Sequence, residues 1–127
     1  MSTVSVRYIV DDVDAAIAVY TTQLGFGVDM HPAPTFAAVS RGDLRILLSA
    51  PSGPGGGAAL DSRGRTPEPG GWNRVVIEVD DLAATVAGLR AAGASFRQDE
   101  IVIGVGGDQI VLDDPAGNAV ELFQPKR

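Results

Sequence analysis

The segment Asp114-Pro115-Ala116-Gly117-Asn118-Ala119-Val120-Glu121-Leu122-Phe123 joins a tight turn to a short strand that carries one acidic side chain among apolar ones. Asp-Pro-Ala-Gly suits a turn because proline presets φ and glycine tolerates a positive φ. Beyond Asn118 the side chains alternate. Val120 and Leu122 point to one face, and Ala119, Glu121 and Phe123 to the other. A carboxylate on the inner face of a strand is costly to bury unless something binds it. Glu121 is therefore a candidate site residue.

Working outward, an internal repeat organises the chain. Val10-Asp11-Asp12-Val13 and Val79-Asp80-Asp81-Leu82 each follow an apolar strand, Val4 to Val10 and Arg74 to Val79, and each open an amphipathic segment. Asp12 and Asp81 suit N-caps, where a carboxylate accepts from free backbone N–H groups. Val13, Ile17, Tyr20 and Leu24 recur at helical spacing, as do Leu82, Thr85, Val86 and Leu89. Gly25 and Gly93 stand where the helices should end. The closing strands align on Pro51 and Pro125. The pattern predicts an α+β domain of two βαβββ modules, residues 1–51 and 72–127, joined by a Gly/Pro-rich loop over 52–71.

The D-P-x-G-N-x-x-E-L run at the end of the chain, together with Val10 to Val13, Ala16 to Tyr20 and Leu24-Gly25-Phe26 near its start, resembles the vicinal oxygen chelate superfamily of glyoxalases, extradiol dioxygenases and bleomycin-resistance proteins. The two motifs bracket almost the whole chain. The resemblance implies paired modules whose curved mixed sheets wrap a cavity. It also implies a homodimer with the pocket at the interface.

Composition narrows the function classes. The 127 residues suffice for one domain with a real core, and 45% of them are apolar. A formal charge of −6 argues against non-specific nucleic-acid binding. No apolar stretch approaches membrane-span length, and the N-terminus reads into a strand rather than a signal peptide, so a cytoplasmic location is expected. With no cysteine there is no disulfide framework, thiolate nucleophile or Cys-ligated metal.

In the superfamily that this chain resembles, metal-using members take four ligands from the first and last strands of each module. The repeat locates those positions. The same 69-residue spacing separates Asp12 from Asp81 (81 − 12) and Ser5 from Arg74 (74 − 5), and the closing strands place Leu47 opposite Glu121. Of Ser5, Leu47, Arg74 and Glu121, only Glu121 is a good ligand. Leucine has no lone pair, serine binds divalent ions poorly and arginine brings a fixed positive charge. A dication about 4 Å from a guanidinium is repelled by roughly 8 kcal/mol at an effective dielectric near 20. No metal and no cofactor are therefore expected. Arg74 is expected either to pair with Glu121 or to face an anionic or carbonyl-bearing ligand, and the two are compatible.

Period-two alternation places Ser5, Arg7 and Ile9, then Arg45, Leu47 and Ser49, then Arg74, Val76 and Glu78, then Ala119, Glu121 and Phe123 on the expected inner faces of their strands. Phe36 and Trp72 can add aromatic surface, although a lone tryptophan is equally suited to plugging a core. The ligand-binding set is thus Ser5, Arg7, Phe36, Arg45, Leu47, Trp72, Arg74, Glu78 and Glu121. No catalytic constellation can be assembled. His31, the only histidine, has no second partner at ligand spacing and fits a surface strand end. The 52–71 loop reads as a plain linker or as a flap over a pocket.

Two functions remain open. One is a metal-free protein that sequesters an antibiotic-like or aromatic small molecule. The other is a lyase or isomerase of secondary metabolism, metal-independent or with displaced ligands, using Glu121 or Glu78 as base and Arg74 to stabilise an oxyanion.

Overall fold

Two aspartates start the two helices in the same way. Asp12 Oδ1 accepts from Ala15 N at 3.0 Å, and Asp81 Oδ1 from Ala84 N at 3.0 Å, each satisfying one orphan donor of the first turn. These begin α1 (Val13–Thr22) and α2 (Leu82–Ala91). The chain leaves both helices through a glycine of positive φ, Gly25 at 77° and Gly93 at 87°. The computed structural model describes residues 4–53 and 55–126. Met1 to Thr3 of the expected opening segment, Pro54 of the linker and Arg127 lie outside the described residues.

The fold is α+β, with two helices and nine strands in two mixed sheets among the described residues. Two compact units divide the chain, Met1–Gly70 and Gly71–Arg127. In the first, β1 (Ser5–Ile9), β2 (Gly27–Ala33), β3 (Phe36–Arg41) and β4 (Leu44–Ser49) form a sheet of order β1-β4-β3-β2, with β1 parallel to β4. In the second, β5 (Val75–Glu78), β6 (Ser95–Phe96), β7 (Val102–Ile103), β8 (Gly107–Asp113) and β9 (Ala119–Pro125) form a sheet of order β5-β9-β8-β6, with β7 also on β8.

The repeat holds at the level of register. Val6 pairs Ile46 in the first sheet and Val75 pairs Val120 in the second, so shifts of 69 (75 − 6) and 74 (120 − 46) carry one pairing onto the other. Val6, Tyr8, Ile46 and Leu48 therefore share the face under α1. Tyr20 of α1 meets Tyr8 and Phe26 edge-on, with centroids 6.5 and 5.4 Å apart. Ile77, Leu112, Val120 and Leu122 form the corresponding buried face in the second unit, where α2 contributes Leu82, Val86 and Leu89.

The units differ in their third element. β2 stays one strand, running through Pro32 as an exposed edge with two register shifts against β3. Its counterpart is broken into β6 and β7. After Arg97 the backbone leaves the ladder, and the side chain of Gln98 accepts from Val111 N at 2.9 Å in place of a main-chain carbonyl. The second unit thus has one strand more than βαβββ. The linker also departs from expectation by holding one short 3-10 turn, Gly56–Ala58.

Candidate functional site

The closing turn comes first, because it sets Glu121. Asp114 is buried, and its Oδ1 accepts from Ala116 N at 2.9 Å and Asn118 N at 2.8 Å while Oδ2 accepts from Asn118 Nδ2 at 3.1 Å. Gly117 supplies the positive φ of 88° that the reversal needs. The Asp-Pro-Ala-Gly-Asn sequence is thus a clamp that fixes the start of β9. From there β9 runs between β5 and β8, so Glu121 sits mid-sheet and only 7% exposed.

Arg74, immediately before β5, answers that buried charge. Its Nε donates to Glu121 Oε1 at 3.0 Å and its Nη2 reaches the same oxygen at 2.9 Å. Nη1 donates to the carbonyl of Trp72 at 3.2 Å. Trp72 itself is no core plug: it is 68% exposed. Its indole rests on Arg97, whose guanidinium carbon lies 4.7 Å from the ring centroid. Arg97 is held on three sides, by Asp113 Oδ1 at 2.6 Å, Gly71 O at 2.7 Å and Gly117 O at 3.0 Å. Arg97 and Asp113 escaped the sequence reading. The available signal was the alternation in β8, which puts Asp113 on the Glu121 face, but no periodicity shows that residue 97 crosses to it.

In the first unit the face bearing Ser5, Arg7, Arg45 and Leu47 also carries Phe36 of β3, paired with Ser49. A hollow of about 260 Å³ opens beside it, lined by Arg7, Thr35, Phe36, Ser49, Ala50 and the Gly55–Ala58 turn. Arg7 Nη1 donates to Ser49 Oγ at 2.7 Å. The turn passes close above that bond, since a Cβ on Gly57 would lie 2.5 Å from Arg7 Nη1 and 2.7 Å from Ser49 Oγ.

The remaining expected residues are more peripheral. Ser5 is exposed and Leu47 half-buried between Arg7 and Ala38. Arg45 Nε lies 3.5 Å from Asp29 Oδ2, within ion-pair distance, and this buried nitrogen makes no hydrogen bond. Glu78 is exposed at the end of β5, and His31 is an exposed β2 residue 3.7 Å from Asp14.

The donor set does not suit the chelated metal that the superfamily resemblance implies. In the second unit the one good ligand, Glu121, is already engaged by a guanidinium; in the first, Leu47 has no lone pair to offer. Among the described residues no three His, Cys, Asp or Glu side chains cluster in a way that could hold an ion.

Comparison with known proteins places these features in a wider context. A family model described as the Glyoxalase/Bleomycin resistance protein/Dioxygenase superfamily matches residues 3–122. The glyoxylase-named protein CFP32 of Mycobacterium bovis and Mycobacterium tuberculosis is 29% identical over 120 residues, which is 91% of this chain and 42% of CFP32. This chain thus spans about two-fifths of that relative's length. Among solved structures, TnmS3, an antibiotic binding protein from Streptomyces sp. CB03234, aligns with a TM-score of 0.72 at 21% identity, covering 99% of this chain and 97% of TnmS3. Lactoylglutathione lyase from Agrobacterium tumefaciens aligns with a TM-score of 0.72 at 21% identity, covering 97% of this chain and 92% of the lyase. These two likenesses establish the fold, and they span a binder and an enzyme. No helix among the described residues is long and apolar enough to cross a membrane.

Proposed function

The chain belongs to the glyoxalase/bleomycin resistance protein/dioxygenase superfamily, and from that premise we propose that it is a metal-free binding protein that sequesters an aromatic or antibiotic-like small molecule. The observation that carries this reading is the double donation from Arg74 to Glu121 Oε1. The carboxylate that a chelated dication would need is neutralised within the chain, and the repulsion between guanidinium and dication opposes exchange of one for the other. By the same contact Glu121 Oε1 is already engaged by two guanidinium nitrogens, which leaves it poorly placed to reach a substrate proton as a general base. Support for a binding role also comes from the likeness to TnmS3 in fold and from a sheet face that mixes apolar walls with a few charges. A homodimer is part of the proposal, carried over from the superfamily.

Native mass spectrometry of protein purified without chelator tests all of this together. The expected spectrum shows a dimer, no stoichiometric metal and, in a screen of aromatic metabolites, adducts recovered unchanged. A ligand present at about 100 times its Kd should raise stability by about 2.7 kcal/mol. One Zn, Ni, Mn or Fe per chain, or a screened compound converted to product, contradicts the proposal and favours the lyase or isomerase reading.

A further inference from the structure

We propose that the hollow of the first unit binds a small aromatic carboxylate of one or two rings, its carboxylate on the Arg7 guanidinium and Ser49 hydroxyl and its ring against Phe36. This deepens the binding role above and rests on it.

Charge is the first support. Arg45, Arg65, Arg74, Arg97 and Lys126 each lie within ion-pair distance of a carboxylate, whereas Arg7 has no carboxylate partner among the described residues and donates to a neutral hydroxyl. A guanidinium has five N–H donors in a planar fork, and the Ser49 bond accounts for one nitrogen, so a carboxylate can still be taken in bidentate fashion. Ser49 is 3% exposed, so its hydroxyl is a buried polar group fixed at the edge of the hollow. Among the described residues that line the hollow Arg7 is the one charged side chain, so its guanidinium is the counter-charge an anion would meet there.

Size and shape are the second. About 260 Å³ lies just below the roughly 300–1,000 Å³ of sites for drug-sized ligands, which selects one or two rings over a large polycycle. Phe36 supplies aromatic surface, while Thr35, Ala50 and Ala58 keep the walls small. The glycine turn closes the hollow at a distance that only a residue without a Cβ permits at position 57.

Amide and arginine side-chain NMR titrations of the whole protein with benzoate, 2-naphthoate and the neutral 2-naphthamide test the assignment. The expected result is saturable shifts at Phe36, Ser49 and Gly55 to Ala58 with the carboxylates, and at least about tenfold weaker binding of the amide, the loss expected when a charge-assisted pair is missing. Arg7→Met should weaken 2-naphthoate by a similar factor. Gly57→Ala, which leaves the charge in place, should weaken it by crowding Ser49 and serves if Arg7→Met fails to fold. Equal affinity for acid and amide, shifts confined to the second unit, or no response at all would overturn the assignment. The wider binding role would then stand or fall on the native mass spectra.

Discussion

Arg7 and Ser49 of the first unit correspond, through the shared strand registers, to Val76 and Phe123 of the second. The first unit therefore leaves a guanidinium and a hydroxyl beside a hollow. The second puts an exposed valine and a phenylalanine there, and a Cβ on buried Gly107 would collide with the Phe123 ring. Two rungs away the contrast reverses. The second unit has a buried carboxylate neutralised by Arg74, and the first has Leu47 and Ser5. One backbone pattern thus supports two chemistries, because ladder hydrogen bonds fix strand positions and leave the side chains on the face opposite the helix free to diverge.

The closing turns offer the largest expected contrast. Asp114→Ala removes three hydrogen bonds to a buried carboxylate and strands the Asn118 N–H, which should cost about 3 kcal/mol. The matching turn of the first unit is shorter, with only Gly42 and Asp43 between β3 and β4. Gly42→Ala meets no neighbouring atom but must adopt a φ of 58°, which costs roughly 1–2 kcal/mol. Urea melts of both variants check the order; equal losses would break the comparison.

The paired cation comes next. Arg74→Met leaves Glu121 buried without its counter-charge and should cost about 2–3 kcal/mol, below the 3–5 typical of a fully buried pair because Arg74 remains 26% exposed. Combining it with Glu121→Leu should recover most of the loss, measured as a double-mutant cycle. Arg7→Met, by contrast, should cost only about 1 kcal/mol in the absence of ligand, the loss of one hydrogen bond to the buried Ser49 hydroxyl.

The smallest effect is local and pH-dependent. Asp61 accepts from the backbone and side chain of Arg65 and the backbone of Arg63, which hold its carboxyl below its ordinary value of 3.8. A depressed folded-state pKa means that the turn gains order above the ordinary value and loses it as pH falls through the lowered one. Because Asp61 is solvent-exposed, the amide shifts of Arg63 and Arg65 should report the change, with the melting temperature barely affected.

Much of this architecture was legible in the chain itself. Caps, helix ends and the 69-residue offset are local or periodic signals, and the register of Val75 on Val120 realises them. The Arg74–Glu121 pair was legible for the same reason, since both positions follow from alternation within aligned strands. The hollow was not. Arg7, Phe36, Ser49 and Gly57 meet only through tertiary packing, and a glycine-rich run does not reveal which of its members approaches a strand. The break between β6 and β7 was equally hidden, because a side chain, Gln98, replaces the backbone there.

The difference between the two arginines is tested most directly by following their Nε–H signals by NMR while zinc and then 2-naphthoate are added. The expected spectrum keeps the Arg74 signal unmoved by equimolar zinc and shifts the Arg7 signal with the carboxylate. A stoichiometric zinc-induced change at Arg74, or an Arg7 signal indifferent to the carboxylate, would contradict the division of roles between the two units.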